Sequence, residues 1–351
     1  MTKEDLTPTF VEASAEERAQ EREKLLQMKI SELGLKLEGT RLEAVVEELY
    51  RELESASIML KPRVYLTDEW GCPEGAPIIG APFYLADEKL SRMQDEILEG
   101  IEGQSDEEIL MYLRHEAGHA FNYAYKLFET EEWRELFGPY SRPYLEEYEP
   151  NPFSRKFVRH IAGWYAQKHP DEDFAETFAV WLTPNSNWRE AYKEWGCYDK
   201  LLYVDRVVRE LGATEPLVSG EAYDIAGEAL DYSIAEYNKL YSPQLLEIPD
   251  YFEADLKDVF LKEAPDDKRG EWEPAHEFLS RHRRRITENI SYWTGLNDAI
   301  VRSLIFHFIK DCRKLDLWVD LEKTQETLVE VTAYATTLCM NRLYKGDFII
   351  K

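Results

Sequence analysis

The stretch LRHEAGHAF, residues 113–121, places two histidines four apart with a glutamate beside the first. No other feature of the chain limits the local backbone so tightly. On an α-helix, positions i and i+4 lie on one face about one turn apart. His115 and His119 can then aim nitrogens at one tetrahedral ion, at about 2.0–2.1 Å each for zinc. Glu116 is turned about 100° round the helix from His115, so its carboxylate lies beside the ion instead of on it. There it can take a proton from a water at the metal, which is why H-E-x-x-H in this order suits metal-assisted hydrolysis. The pattern arises by chance in roughly 1% of chains this long, so its surroundings must support it.

The surroundings are helical. Ser105 and Glu108 form an S-x-x-E capping box, which predicts a helix from there to about Phe128 with the motif in its middle. Ala117, Gly118 and Ala120 are small, so another element can pack close behind the histidines. A mid-helix glycine costs about 1 kcal/mol relative to alanine. Its presence at 118 points to a steric need.

A catalytic zinc takes three protein ligands and keeps a fourth position open. The third donor is sought in WYAQKHPDEDFAETFAVWL, residues 164–182. Pro170 suits a first helical turn, and Asp171, Glu172 and Asp173 suit the positive end of the helix dipole. The helix is predicted to end at Leu182, before Thr183-Pro184. Glu172 and Glu176 are i and i+4 and share a face, and spacing alone does not choose between them. The plainer reading is an acidic first turn on an ordinary helix; the upstream histidine pair favours the metal.

Other polar residues are candidates with plainer alternatives. Tyr165, seven residues before Glu172, can stabilise an oxyanion; equally it can pack among Trp164 and Phe174. His160 and His169 are further donors, and His169 can instead cap the helix that follows it. Arg142, Arg155, Lys156 and Arg159 make residues 138–168 locally basic. Arg155 and Arg159 are the candidates for a substrate carboxylate, against pairing with Glu146, Glu147 and Glu149.

The blocks YLRHEAGHAFNYAY, FSRKFVRH and WYAQKHPDEDFAETFAVWL resemble bacterial zinc-binding metallopeptidases of gluzincin type, over roughly residues 76–211. The resemblance implies His115, His119 and Glu172 as zinc ligands and Glu116 as general base. It makes Glu176 the carboxylate that orients a ligand histidine. The position of Glu172 in the first helical turn agrees, since its side chain can project past the helix end. The spacing departs from the thermolysin-like branch: fifty-two residues lie between His119 and Glu172. Such an insert must fold back over the site, so residues 138–168 are expected to shape the cleft. In gluzincins an edge strand pairs with the extended substrate, and GAPIIGAPFYLAD, residues 75–87, is the candidate here.

The fold class expected is α+β, mostly helical, with a gluzincin-like core and a small mixed sheet at about 56–86. Residues 1–55 form a helical N-terminal segment, 56–215 the catalytic core and 216–351 a helical C-terminal region. Helices are predicted at 15–33, 41–54, 186–195 and 198–211. From Tyr251 onward the pattern is helical, with breaks near Gly270, Gly295 and Leu315. The basic run Arg281–Arg285 reads as a solvated helix face.

A length of 351 residues supports a large core without staples. The net charge of −27 argues against nucleic acid or an anionic membrane as partner. No apolar run reaches about 18 residues and no signal-peptide pattern is visible. The four scattered cysteines read as reduced thiols. Together these features predict the cytoplasm, while the histidine motif and the resemblance imply a zinc-dependent hydrolase with Zn2+ as cofactor and a peptide or protein as substrate. Two alternatives share the residues: hydrolysis of a non-peptide amide, and a closed structural zinc with His160, His169 or a cysteine as fourth ligand.

Overall fold

The computed structural model describes residues 15–98, 100–145, 148, 150–151, 153–220, 230–241, 252–262 and 271–348. Expectations for residues 1–14, for the break near Gly270, and for pairing by Glu146, Glu147 and Glu149 lie outside the described residues.

The fold is α+β and mostly helical. Helices α1 (Ala15–Gln27) and α2 (Arg41–Ser55) come first, followed by strands β1 (Arg63–Thr67) and β2 (Ile78–Pro82). Then follow α3 (Glu88–Ile97), α4 (Asp106–Ala124), α5 (Glu131–Phe137) and α6 (Pro170–Leu182). Next are α7 (Trp188–Ala191), α8 (Tyr198–Leu211), α9 (Ile234–Tyr241) and α10 (Glu253–Val259). A ribbon strand β3 (Trp272–Pro274) precedes α11 (Ala275–Thr294) and α12 (Asp298–Lys314), and β4 (Trp318–Asp320) precedes α13 (Thr324–Lys345).

Local signals set the two helices that carry the motif. Ser105 caps α4 by accepting from the Glu108 N–H, and Glu108 in turn accepts from the Gln104 N–H. The helix ends at Ala124, one turn earlier than predicted, because Lys126 takes a left-handed conformation at φ 51°. Helix α6 keeps its predicted limits, with Pro170 in its first turn and His169 as its cap. The first predicted helix stops at Gln27, and its remainder is a 3-10 turn at Ile30–Leu33 closed by left-handed Gly34. The helix predicted at 186–195 shrinks to α7, entered through Asn187 at φ 48°.

The sheet corrects an expectation. β1 and β2 pair in parallel, and Gly71 bridges Gly80 from the other side in antiparallel sense. The whole of β2 is buried. Gly80, at the centre of the segment 75–87, is therefore paired on both sides, and Phe83–Ala86 is a 3-10 turn where a continuing strand was expected. A second sheet, the antiparallel ribbon of β3 and β4, lies in the region predicted to be helical, just after the breaks expected near Gly270 and Leu315.

Two large apolar clusters form the interior. One draws on buried residues from Ile30 to Tyr237 and includes Leu113, Phe121, Phe174 and Phe178 of α4 and α6. The other draws on residues from Phe252 to Phe348. The basic run of α11 does more than face water. Arg283 pairs with Asp95 of α3 at 2.8 Å, and Arg284 with Glu108 of α4 at 3.3 Å.

Helices α4 and α6 approach backbone to backbone at Gly118. A Cβ there would lie 2.8 Å from Ala175 Cα and 2.9 Å from its carbonyl oxygen. Gly118→Ala gains about 1 kcal/mol of helix propensity, but forcing the helices apart costs typically about 1–3 kcal/mol or more. Because the contact is with backbone, the larger cost is expected: a lower melting temperature, and weaker zinc binding as α6 moves. Thermal unfolding and titration against a chelator check this; an unchanged or raised melting temperature would contradict it.

Candidate metal centre

The i, i+4 spacing on α4 brings His115 Nε2 and His119 Nε2 to 3.1 Å from each other. Helix α6 supplies Glu172 Oε2, 2.9 Å from the first nitrogen and 3.2 Å from the second. At zinc–ligand distances of about 2.0–2.1 Å, tetrahedral ligand atoms stand about 3.3 Å apart. The triangle is therefore close to what one ion needs. Among the described residues, no fourth His, Cys, Asp or Glu joins this cluster.

The outer nitrogens fix the rings. His115 Nδ1 donates to Glu176 Oε1 at 2.9 Å, and Glu176 Oε2 accepts the Ile161 N–H at 2.9 Å. Glu176 thus joins the insert to the ligand. His119 Nδ1 donates to Asp171 Oδ2 at 2.9 Å. Asp171 is held by Asn122 Nδ2 at 2.7 Å and the Tyr123 hydroxyl at 2.5 Å. Both histidines therefore carry a carboxylate behind them, which sets the tautomer with a free Nε2 lone pair for a metal.

Asp171 was read from sequence only as an acid in a first turn. Its partners Asn122 and Tyr123 lie three and four residues after His119, on the same helix, and that closeness is the available signal. Tyr144 was also missed: its hydroxyl donates to Glu172 Oε1 at 2.6 Å and lies 3.2 Å from the Tyr165 hydroxyl. No periodicity marks a tyrosine in an irregular segment.

Four acidic side chains, Glu116, Asp171, Glu172 and Glu176, surround two imidazoles, and all six are buried. Burial works against charge on His115, yet hydrogen bonds to Glu172 and Glu176 outweigh it and raise the ring to about 9. His119 is likewise raised against its burial by Asp171 and Glu172. Burial pushes Glu172 up, but the two imidazoles hold it well below the usual carboxylate range. A field that favours positive charge on these rings also favours a dication. Two imidazoles and one carboxylate are a zinc-type donor set. The residues fit the ion.

Glu116 is 5% exposed and raised above the usual carboxylate range by burial, which His115 and His119 partly offset. Its Oε2 has no hydrogen-bond partner in the protein. The Tyr165 ring lies 5.6 Å from the His115 ring, centre to centre. Burial, then Glu172, raises its phenol and keeps it a hydrogen-bond donor.

The insert does border the cluster, through Tyr144, Ile161 and Tyr165. Its two arginines behave differently. The Arg159 guanidinium is set against Trp164, Trp195 and Tyr292 at 5.2, 5.4 and 5.3 Å. Arg155 is exposed and lies 5.8 Å from the Trp195 ring. His169 uses both nitrogens locally, capping α6 through the Asp171 N–H and donating to the Arg142 carbonyl at 2.9 Å. His160 donates through Nε2 to the Met111 carbonyl at 3.0 Å, and burial lowers it. Neither stands as a fourth ligand. All four cysteines are free thiols.

Residues 103–198 match the family model described as "Putative zinc-binding metallo-peptidase". The match spans both motif helices and the insert between them. No curated protein matches the chain significantly, and no solved structure does. No helix among the described residues is long and apolar enough to cross a membrane.

Proposed function

We propose, from a match to the zinc-binding metallopeptidase family over residues 103–198, that the protein hydrolyses peptide bonds with zinc held by His115, His119 and Glu172. The observation that carries the reading is a set of three protein donors with no fourth among the described residues. Structural zinc sites are closed by four protein ligands, whereas catalytic sites leave a position for water or substrate.

Zinc, when bound, polarises the amide carbonyl and makes water a stronger nucleophile near neutral pH. The protein's own groups do the rest. Glu116 takes the proton from water as the water oxygen attacks the carbonyl carbon. It then passes that proton to the amide nitrogen as the C–N bond breaks. Its unpartnered Oε2 suits a group that must exchange a proton without first giving up a protein hydrogen bond. Tyr165, beside His115, donates to the carbonyl oxygen as negative charge builds there. Glu176 and Asp171 hold the two imidazoles in place throughout.

The substrate is a peptide or protein, and the cytoplasm is the compartment this reading takes; the free thiols support it. Arg155 and Arg159 keep at most a role at the rim, since both lie against Trp195. The domain limits that accompany the reading are 1–55, 56–215 and 216–351. The two apolar clusters divide between Tyr237 and Phe252, later than residue 216, because Leu230, Ile234 and Tyr237 pack with the first of them. The test is hydrolysis of a defined peptide pool by zinc-loaded protein, with Glu116→Gln as the matched control.

A further inference from the structure

Glu172 has two oxygens, and only one lies between the histidines. Its Oε2 stands 2.9 and 3.2 Å from the two Nε2 atoms. Its Oε1 turns away and accepts the Tyr144 hydroxyl at 2.6 Å. Nothing in helix α6 forces that choice, because a carboxylate at a helix N-terminus can rotate about its last bond. The constraint comes from the insert, twenty-eight residues upstream.

Tyr144 is itself fixed. Its hydroxyl proton goes to Glu172, so the Tyr165 hydroxyl, 3.2 Å away, is the donor in their contact. Its ring packs against the His169 ring at 5.4 Å, and the Lys168 ammonium sits 4.4 Å from its centre. His169 and Lys168 lie immediately before α6, so the tyrosine that holds the carboxylate is held by the same helix end.

We propose that Tyr144 is a positioning residue that commits Glu172 to metal binding through Oε2 alone. A carboxylate with both oxygens free can take two positions on an ion. With Oε1 engaged by a phenol, it takes one and leaves the open position that hydrolysis needs. The inference rests on the zinc reading above, extends it to a residue outside the ligand set, and is separable from it by experiment.

The probe is cobalt(II) in place of zinc, whose visible absorption is strong in four-coordinate sites and weaker at higher coordination. Tyr144→Phe keeps the ring and its packing, and the side chain is 47% exposed, so the variant is expected to fold. The expected result is a cobalt-loaded variant whose visible bands are weaker than those of the cobalt-loaded wild type. Tyr165→Phe, which removes the donor to Tyr144 but leaves the bond to Glu172, should keep the wild-type spectrum. A Tyr144→Phe spectrum equal to that of wild type would overturn the inference and leave the zinc reading intact. A wild-type protein that takes up no cobalt and no zinc would overturn both.

Discussion

Glu172→Ala loses its metal, while Glu176→Ala and Asp171→Ala keep it more weakly. Glu172 supplies one corner of the donor triangle, and no other acidic side chain among the described residues can reach that corner. Two imidazoles alone are a poor site, so the variant should be empty at zinc concentrations that saturate wild type. Glu176 and Asp171 act one bond further out, on the Nδ1 atoms of His115 and His119. Removing either should weaken zinc by about 10–100-fold, the usual scale for a group that orients a ligand. Glu176→Ala carries a second, smaller cost, because the part-buried Ile161 N–H loses its acceptor. Titration of the three variants against a competing chelator gives the comparison. An empty Glu176→Ala beside a Glu172→Ala that binds like wild type would reverse the assignment.

Glu116→Gln retains zinc but lowers peptide hydrolysis by at least about two orders of magnitude, the scale of a lost general acid–base group. The substitution preserves volume, so the tight packing of α4 against α6 is undisturbed. Glutamine can neither accept the proton of the attacking water nor pass it to the leaving nitrogen. Zinc binding is expected to change little, because Glu116 contributes no atom to the donor triangle. Measuring zinc content and turnover on one preparation separates the two effects. Near-normal hydrolysis by a zinc-loaded Glu116→Gln variant would exclude Glu116 as the base.

The parts of the site legible in the sequence are those that one helix specifies by itself. The cap at Ser105 and the proline at 170 fix where α4 and α6 begin, and helical spacing then presents His115 with His119 and Glu172 with Glu176. Gly118 could be read as a steric need because its helix cost is local, and it proves to lie against the Ala175 backbone of α6. What could not be read depends on chain segments that meet only in the fold. Asp171 and Glu172 are neighbours with the same charge, and only their positions against α4 give them different partners. Tyr144 lies in an irregular segment with no period to exploit. Prolines at 77 and 82 flank and end the strand β2, which marks an edge, yet Gly71 folds back to pair with Gly80 at its centre. Arg159 reads in sequence as a partner for a substrate carboxylate or for nearby glutamates, but its guanidinium lies against the rings of Trp164, Trp195 and Tyr292, two of which are distant in sequence. The short ribbon of β3 and β4 joins residues far apart in sequence, and neither strand is long enough to show an alternating pattern.

Everything proposed for this protein depends on a metal at one place. Elemental analysis of the full-length chain, expressed with zinc and freed of loosely held ions, measures that directly. The expected result is one zinc per chain, falling to none in Glu172→Ala. A folded wild-type protein with no stoichiometric transition metal would contradict the account at its centre.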